Sequence, residues 1–212
     1  MQRYSAYLKE TDPCMPRNMS IDTSTAIDVD HGMEEWSTIH SSERTGDYNE
    51  RKCFETVLPL LHPSSWCDFA HQGDCSFAGI YQPPIDRNVE FVAFSGYYRV
   101  WEFLGLPERS SIVELERATK RVCGLTAHEL RKHNDKHAQV SEDELPTYCF
   151  QSVYAYHLLK EGYGFKDDHI IRAVRSMDNR KVDWAMGAML YELHTDESLL
   201  IQPEDEYMTA KV

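Results

Sequence analysis

Six cysteines, at positions 14, 53, 67, 75, 123 and 149, are dispersed through 212 residues, and none forms a Cys-x-x-Cys pair. An even, scattered set reads as a disulfide framework, which ties distant segments together and requires an oxidising compartment. The triplet Asn18-Met19-Ser20 is an N-glycosylation acceptor and fits a lumenal or extracellular setting. Residues 1–20, however, are polar and charged, with no apolar run of signal-peptide length, and no stretch is apolar enough to span a membrane. Either the cysteines are reduced in a cytosol, or the chain is missing its own beginning.

Hydrophobic residues make up 42% of the sequence and aromatic residues 11%, enough for a substantial core. Thirty-five acidic residues against twenty-two basic ones give a formal charge of −13. Such a chain repels phosphate backbones and anionic lipid, so the sequence predicts neither a nucleic-acid partner nor membrane contact.

Residues 21–50 are rich in Ser, Thr, Asp and Glu and read as an acidic loop insertion flanked by Cys14 and Cys53. Helical spacing predicts a short helix over Lys52–Leu61, and Pro63-Ser64-Ser65 and Gly73-Asp74 mark turns around Cys67 and Cys75. Alternation over Glu90–Ser95 predicts a buried strand that leads into a helix at Tyr97–Leu104, a transition where α/β folds often hold ligands. Ile112, Leu115, Ala118, Val122, Leu125 and Leu130 predict one long helix over Ser111–His133, opened by a capping box at Ser110/Ser111 with Glu114. Further helices are expected over Thr147–Lys160, Asp167–Val174 and Asp183–Leu193. The last is apolar on most faces and is expected to pack between other elements. Gln202–Val212 reads as a frayed acidic tail.

Residue constellations give no enzyme by themselves. His128-Glu129 and His133 miss the zinc-protease helix because their histidines lie five apart rather than four, which turns the rings away from each other. His133 and His137 have the right spacing but enclose Asn134-Asp135, which disfavour helix. Cys67, His71 and Cys75 are zinc-ligand types without a fourth ligand, and a Cys67–Cys75 bridge explains the pair more simply. Gly162-Tyr163-Gly164 reads as a helix C-terminal cap rather than a phosphate loop. No Gly-x-Ser-x-Gly elbow occurs, and Glu142-Asp143-Glu144 reads as a solvated acidic run.

Several segments taken together resemble a known family. Cys75-Ser76-Phe77-Ala78-Gly79-Ile80-Tyr81-Gln82-Pro83-Pro84 resembles the Cys-Ser-Phe-x-Gly-x-x-Gln-Pro segment of the apyrases, the nucleoside triphosphate diphosphohydrolases. Phe91 to Tyr98 is similar to the strand-to-helix segment of that family. Tyr148-Cys149-Phe150, Tyr154–Leu159 and Glu161-Gly162-Tyr163-Gly164-Phe165 resemble its next helix, and Trp184–Leu190 its last conserved region. Order and spacing agree across residues 10–193. Asp12-Pro13-Cys14 fits the start of the same half, and Thr45-Gly46-Asp47 with Cys53 resembles the Golgi-type members.

The resemblance implies an α/β, ribonuclease H-like, actin-related two-lobed fold. Residues 1–180 would supply its C-terminal lobe, and residues 181–212 a closing helix returning to an absent first lobe. Family members remove terminal phosphates from nucleoside di- or triphosphates with a divalent cation, Mg2+ or Ca2+, and a glutamate base. The phosphate loops of the family, Asp-x-Gly-Ser-x-Gly and Asp-x-Gly-Gly, do not occur here, so no catalytic residue and no metal ligand is expected in this chain. What remains is a nucleobase pocket. The resemblance assigns Tyr148 to one side and Arg99, with Tyr98 beside it, to the other, Arg99 standing where the family has an aromatic ring. It also implies the bridges Cys14–Cys53, Cys67–Cys75 and Cys123–Cys149. The alternative reading is a non-catalytic, disulfide-stapled binding module.

Overall fold

Ile112, Leu115, Ala118 and Val122 lie on one face of a helix, as their spacing implies, and all four are buried. The computed structural model describes residues 11–22, 43–61, 75–77, 80–177, 180–181 and 184–195. The chain divides into two units, one ending at Val174 and the other beginning at Arg175.

In the first unit, β1 (Thr11–Asp12) pairs in parallel with β3 (Glu43–Gly46), and β2 (Ser20–Asp22) pairs antiparallel on the other side of β3. The acidic segment expected as a loop over 21–50 thus leaves from β2, returns through β3 and ends at Glu50, the first residue of a helix. Gly46 is required at this crossing, because a Cβ there would stand 2.1 Å from the Pro16 carbonyl oxygen. Helix α1 (Glu50–Val57) starts where the Asn49 side chain accepts a hydrogen bond from the Lys52 amide, and a 3-10 turn, Leu58–Leu61, extends it.

The second sheet has β6 (Ile170–Ala173) at its centre. Strand β4 (Phe91–Ala93) runs parallel to β6 in the register Phe91↔Ile171 and Ala93↔Ala173, and β5 (Arg109–Ser111) runs antiparallel to it. The helix expected over Asp167–Val174 is therefore a turn and a strand. The His169 amide closes the turn on the Lys166 carbonyl, after which the β-branched pair Ile170-Ile171 enters the sheet, with Ile171 and Ala173 turned inward.

Helix α2 (Gly96–Leu104) leaves β4, and β5 leads directly into α3 (Ile112–Cys123). Ser111 and Glu114 cap α3 reciprocally. The single helix expected to His133 is in fact two. Gly124 terminates α3, and a second capping box, Thr126 with Glu129, opens α4 (Ala127–Lys136). Helix α5 (Tyr148–His157) continues as one π-helical stretch, Leu158–Gly162. The core lies among these helices, with Trp101, Phe103, Leu104, Leu115, Val122, Leu130, Leu145 and Val153 at most 2% exposed.

Two disulfides staple this unit. Cys14–Cys53 ties the segment after β1 to α1, with Cα atoms 4.8 Å apart, and Cys123–Cys149 joins the end of α3 to the first turn of α5 at 5.5 Å. Cys75 is also disulfide-bonded; Cys67 and His71 lie outside the described residues. The second unit holds the two-stranded β7 (Ser176–Met177) and β8 (Arg180–Lys181) and helix α6 (Trp184–Thr195). Met186, Met189, Leu190, Tyr191 and Leu193 of α6 are exposed rather than packed between other elements. No helix among the described residues is long and apolar enough to cross a membrane.

Candidate functional site

Strand β4 is followed by Phe94 and Ser95, and Ser95 takes φ 58° and ψ −118°, a strained conformation for a residue with a side chain. The strain turns the chain abruptly from strand into helix. It places Tyr97, Tyr98 and Arg99 on the first turn of α2, at the carboxyl end of β4, where open α/β sheets bind ligands. The sequence signalled the transition but not the strain.

The three expected pocket residues differ in environment. Tyr98 is half-buried and its hydroxyl donates to Glu102 Oε1 at 3.1 Å. Arg99 is exposed. Tyr148, the first residue of α5, is only 4% exposed and packs on Phe103 with ring centroids 4.9 Å apart, tilted by 46°. Burial pushes the Tyr148 phenol up, and the charge and hydrogen bond of Arg99 pull it back. Glu144 and Glu102 add negative charge to the same spot. Arg99 is thus a close enough neighbour of Tyr148 for its charge to act on the phenol.

A second cluster, not foreseen as a unit, lies beside the same helix start. Residues 75–77 pair with residues 80–81 through the bridge Cys75↔Tyr81 and the bond from the Ser76 amide to the Ile80 carbonyl. Ser76 Oγ donates to the Gly162 carbonyl at 2.7 Å, and Gln82 Nε2 donates to the Tyr163 carbonyl at 2.5 Å. Phe77 meets Tyr163 edge-on at 5.1 Å. Burial, with Tyr163 and Tyr154 close by, holds the Tyr97 phenol well above the usual tyrosine range. The Cys-Ser-Phe segment, the glycine-rich end of α5 and the start of α2 therefore meet in one place. Gly164, at φ 77°, breaks the helix after Tyr163 and serves as a terminator.

His133 and His137 have structural neighbours. His133 Nε2 lies 2.7 Å from the Phe103 carbonyl oxygen, and its ring sits 4.4 Å from that of His137. Among the described residues no three His, Cys, Asp or Glu side chains converge to hold a metal ion.

The first unit is thus a disulfide-bonded α/β domain with aromatic side chains and Arg99 gathered at a strand-to-helix switch. The sequence profile of the GDA1/CD39 (nucleoside phosphatase) family matches residues 3–204, and the chain belongs to that family. It is 33% identical over 153 residues to ectonucleoside triphosphate diphosphohydrolase 1 of Bos taurus, covering 70% of this chain and 28% of that protein. It is 28% identical over 190 residues to probable apyrase 6 of Arabidopsis thaliana, covering 89% and 33%. Nucleoside-diphosphatase mig-23 of Caenorhabditis elegans is 26% identical over 189 residues, covering 86% and 32%. The chain spans about a third of the length of these relatives. Its disulfides suit a non-cytosolic compartment.

Proposed function

We propose that this chain is the C-terminal portion of a divalent-cation-dependent nucleoside di- or triphosphate phosphohydrolase of apyrase type, working in the Golgi lumen. It supplies the surface on which the nucleobase rests and is inactive alone. The observation that carries this reading is a family match over residues 3–204 in a chain that spans about a third of its relatives.

Hydrolysis of a terminal phosphate requires donors held around the developing charge and a positioned water. Asp-x-Gly-Ser-x-Gly and Asp-x-Gly-Gly, the loops expected to provide them, are absent from this sequence. The exposed guanidinium of Arg99 offers a flat cation on which a base can stack, with the Tyr148 phenol close enough to feel its charge. The chain thus contributes binding energy, and the reacting centre belongs to a first lobe.

The test is phosphate release from ATP, ADP, UDP and GDP by the purified, oxidised chain with Mg2+ or Ca2+, together with nucleotide binding followed by fluorescence. Binding without turnover, with the binding weakened roughly five-fold in Arg99→Ala, is the expected result. Turnover at rates typical of enzymes overturns the assignment of inactivity, and the absence of nucleotide binding overturns the base surface.

A further inference from the structure

Asn18 opens the only Asn-x-Ser/Thr triplet in the chain, and the fold turns both of its reactive positions outward. Met15, Pro16 and Met19 are buried, whereas Asn18 and Ser20 are exposed. The turn between them is fixed by backbone bonds, from the Met19 amide to the Pro16 carbonyl and from the Asn18 amide to the Gly46 carbonyl, both at 3.2 Å. Gly46 in turn donates to the Met19 carbonyl at 2.7 Å. Met19 is thus the anchor, and the side chains on either side of it face solvent. Asn18 sits at φ 60°, a left-handed conformation that asparagine tolerates better than most residues.

Two further observations bear on modification. The disulfide Cys14–Cys53 lies four residues before the triplet, so this part of the chain matures where oligosaccharide transfer also takes place. Among the described residues strand β2, which starts at Ser20, is an outer strand of its sheet, and outer strands invite pairing with other chains unless something covers them.

We propose that Asn18 carries an N-linked glycan that shields the outer strand β2. In the transfer, Asn18 Nδ2 bonds to the anomeric carbon of an oligosaccharide carried on a lipid pyrophosphate. The bond from that carbon to the pyrophosphate oxygen breaks, the lipid pyrophosphate leaves with the electron pair, and the amide gives up one proton. The Ser20 hydroxyl completes the triplet that the transferring enzyme reads.

The experiment translates the chain behind a secretory leader in the presence of microsomes and analyses the protease-protected product. One enzymatically removable glycan is expected, with Asn18 converted to Asp on its removal in the peptide mass spectrum. Ser20→Ala abolishes the glycan while leaving the turn residue in place, and Ser20→Thr keeps or raises occupancy. Protected chain with its disulfides formed and Asn18 unmodified, in both the parent and Ser20→Thr, overturns the site. Enzymatic removal of the glycan from folded chain is expected to raise self-association in light scattering, and unchanged scattering overturns the shielding role.

Discussion

Phe77 lies against the backbone of Gly162 so closely that a Cβ on Gly162 would stand 2.1 Å from its ring. The contact joins segments far apart in sequence, and the adjacent bond from Ser76 Oγ to the Gly162 carbonyl reinforces it. Gly162→Ala forces the ring away and strains the π-helical stretch, at a cost of about 1–3 kcal/mol typical of overpacking. Urea midpoints measure the loss. In a Phe77→Ala background the same substitution is expected to cost much less, and additive losses would mean that the two residues do not share the contact.

Cys123–Cys149 closes a segment of 26 residues that contains α4. Replacing both cysteines with alanine lowers stability by about 2–5 kcal/mol, chiefly by freeing the unfolded chain. The urea midpoint of the double variant should fall toward that of the reduced parent. A variant as stable as the oxidised parent would show that α3 and α5 are held by packing alone.

The break between α3 and α4 shows what the sequence does and does not make legible. Apolar spacing continued through Leu125 and Leu130, so periodicity alone drew one helix. The local chemistry of Gly124 followed by Thr126 and Glu129 was also present and marked a stop and a restart. At Ile170–Ala173 the acidic residues before the segment suggested a helix start, while pairing with β4 and β5 across long sequence distances decided for strand. The family motifs lay in the sequence as separate strings. Their meeting around Gly162 depends on bonds such as Gln82 to Tyr163, which no local pattern encodes. The burial of Tyr148 on Phe103 was hidden for the same reason.

His157 is 5% exposed, and both of its ring nitrogens lack a hydrogen-bond partner among the described residues. It packs edge-on against Phe54 at 4.7 Å. Burial holds its pKa down to about 4, against a small opposing pull from Glu116. A folded pKa below the unfolded value means that the unfolded chain binds the proton first as pH falls. Stability therefore drops from about pH 6.5 to about pH 4 and levels off below that, with a loss of about 3 kcal/mol from this residue. Urea midpoints between pH 7 and pH 4 are expected to fall more steeply in the parent than in His157→Leu. Parallel curves would show that the imidazole is hydrated in solution.

Tyr148 combines two roles that substitution can separate. Its ring fills core space beside Phe103, so Tyr148→Ala costs about 3–5 kcal/mol and confounds any kinetic reading. Tyr148→Phe keeps the ring and removes only the hydroxyl that interacts with Arg99. Arg99 is exposed, and Arg99→Ala is expected to leave stability within about 0.5 kcal/mol of the parent. If Arg99 stacks on the base, it does so equally in ground and transition states, so its loss in the complete enzyme raises KM and leaves kcat alone. A stacking contribution of about 1 kcal/mol corresponds to roughly five-fold in KM. Tyr148→Phe should show a smaller rise in the same direction, because the guanidinium loses a neighbouring hydroxyl but not its charge. Arg99→Ala with an unchanged KM for every nucleotide would remove Arg99 from the base surface, and a fall in kcat at constant KM would place it near the reacting phosphate instead.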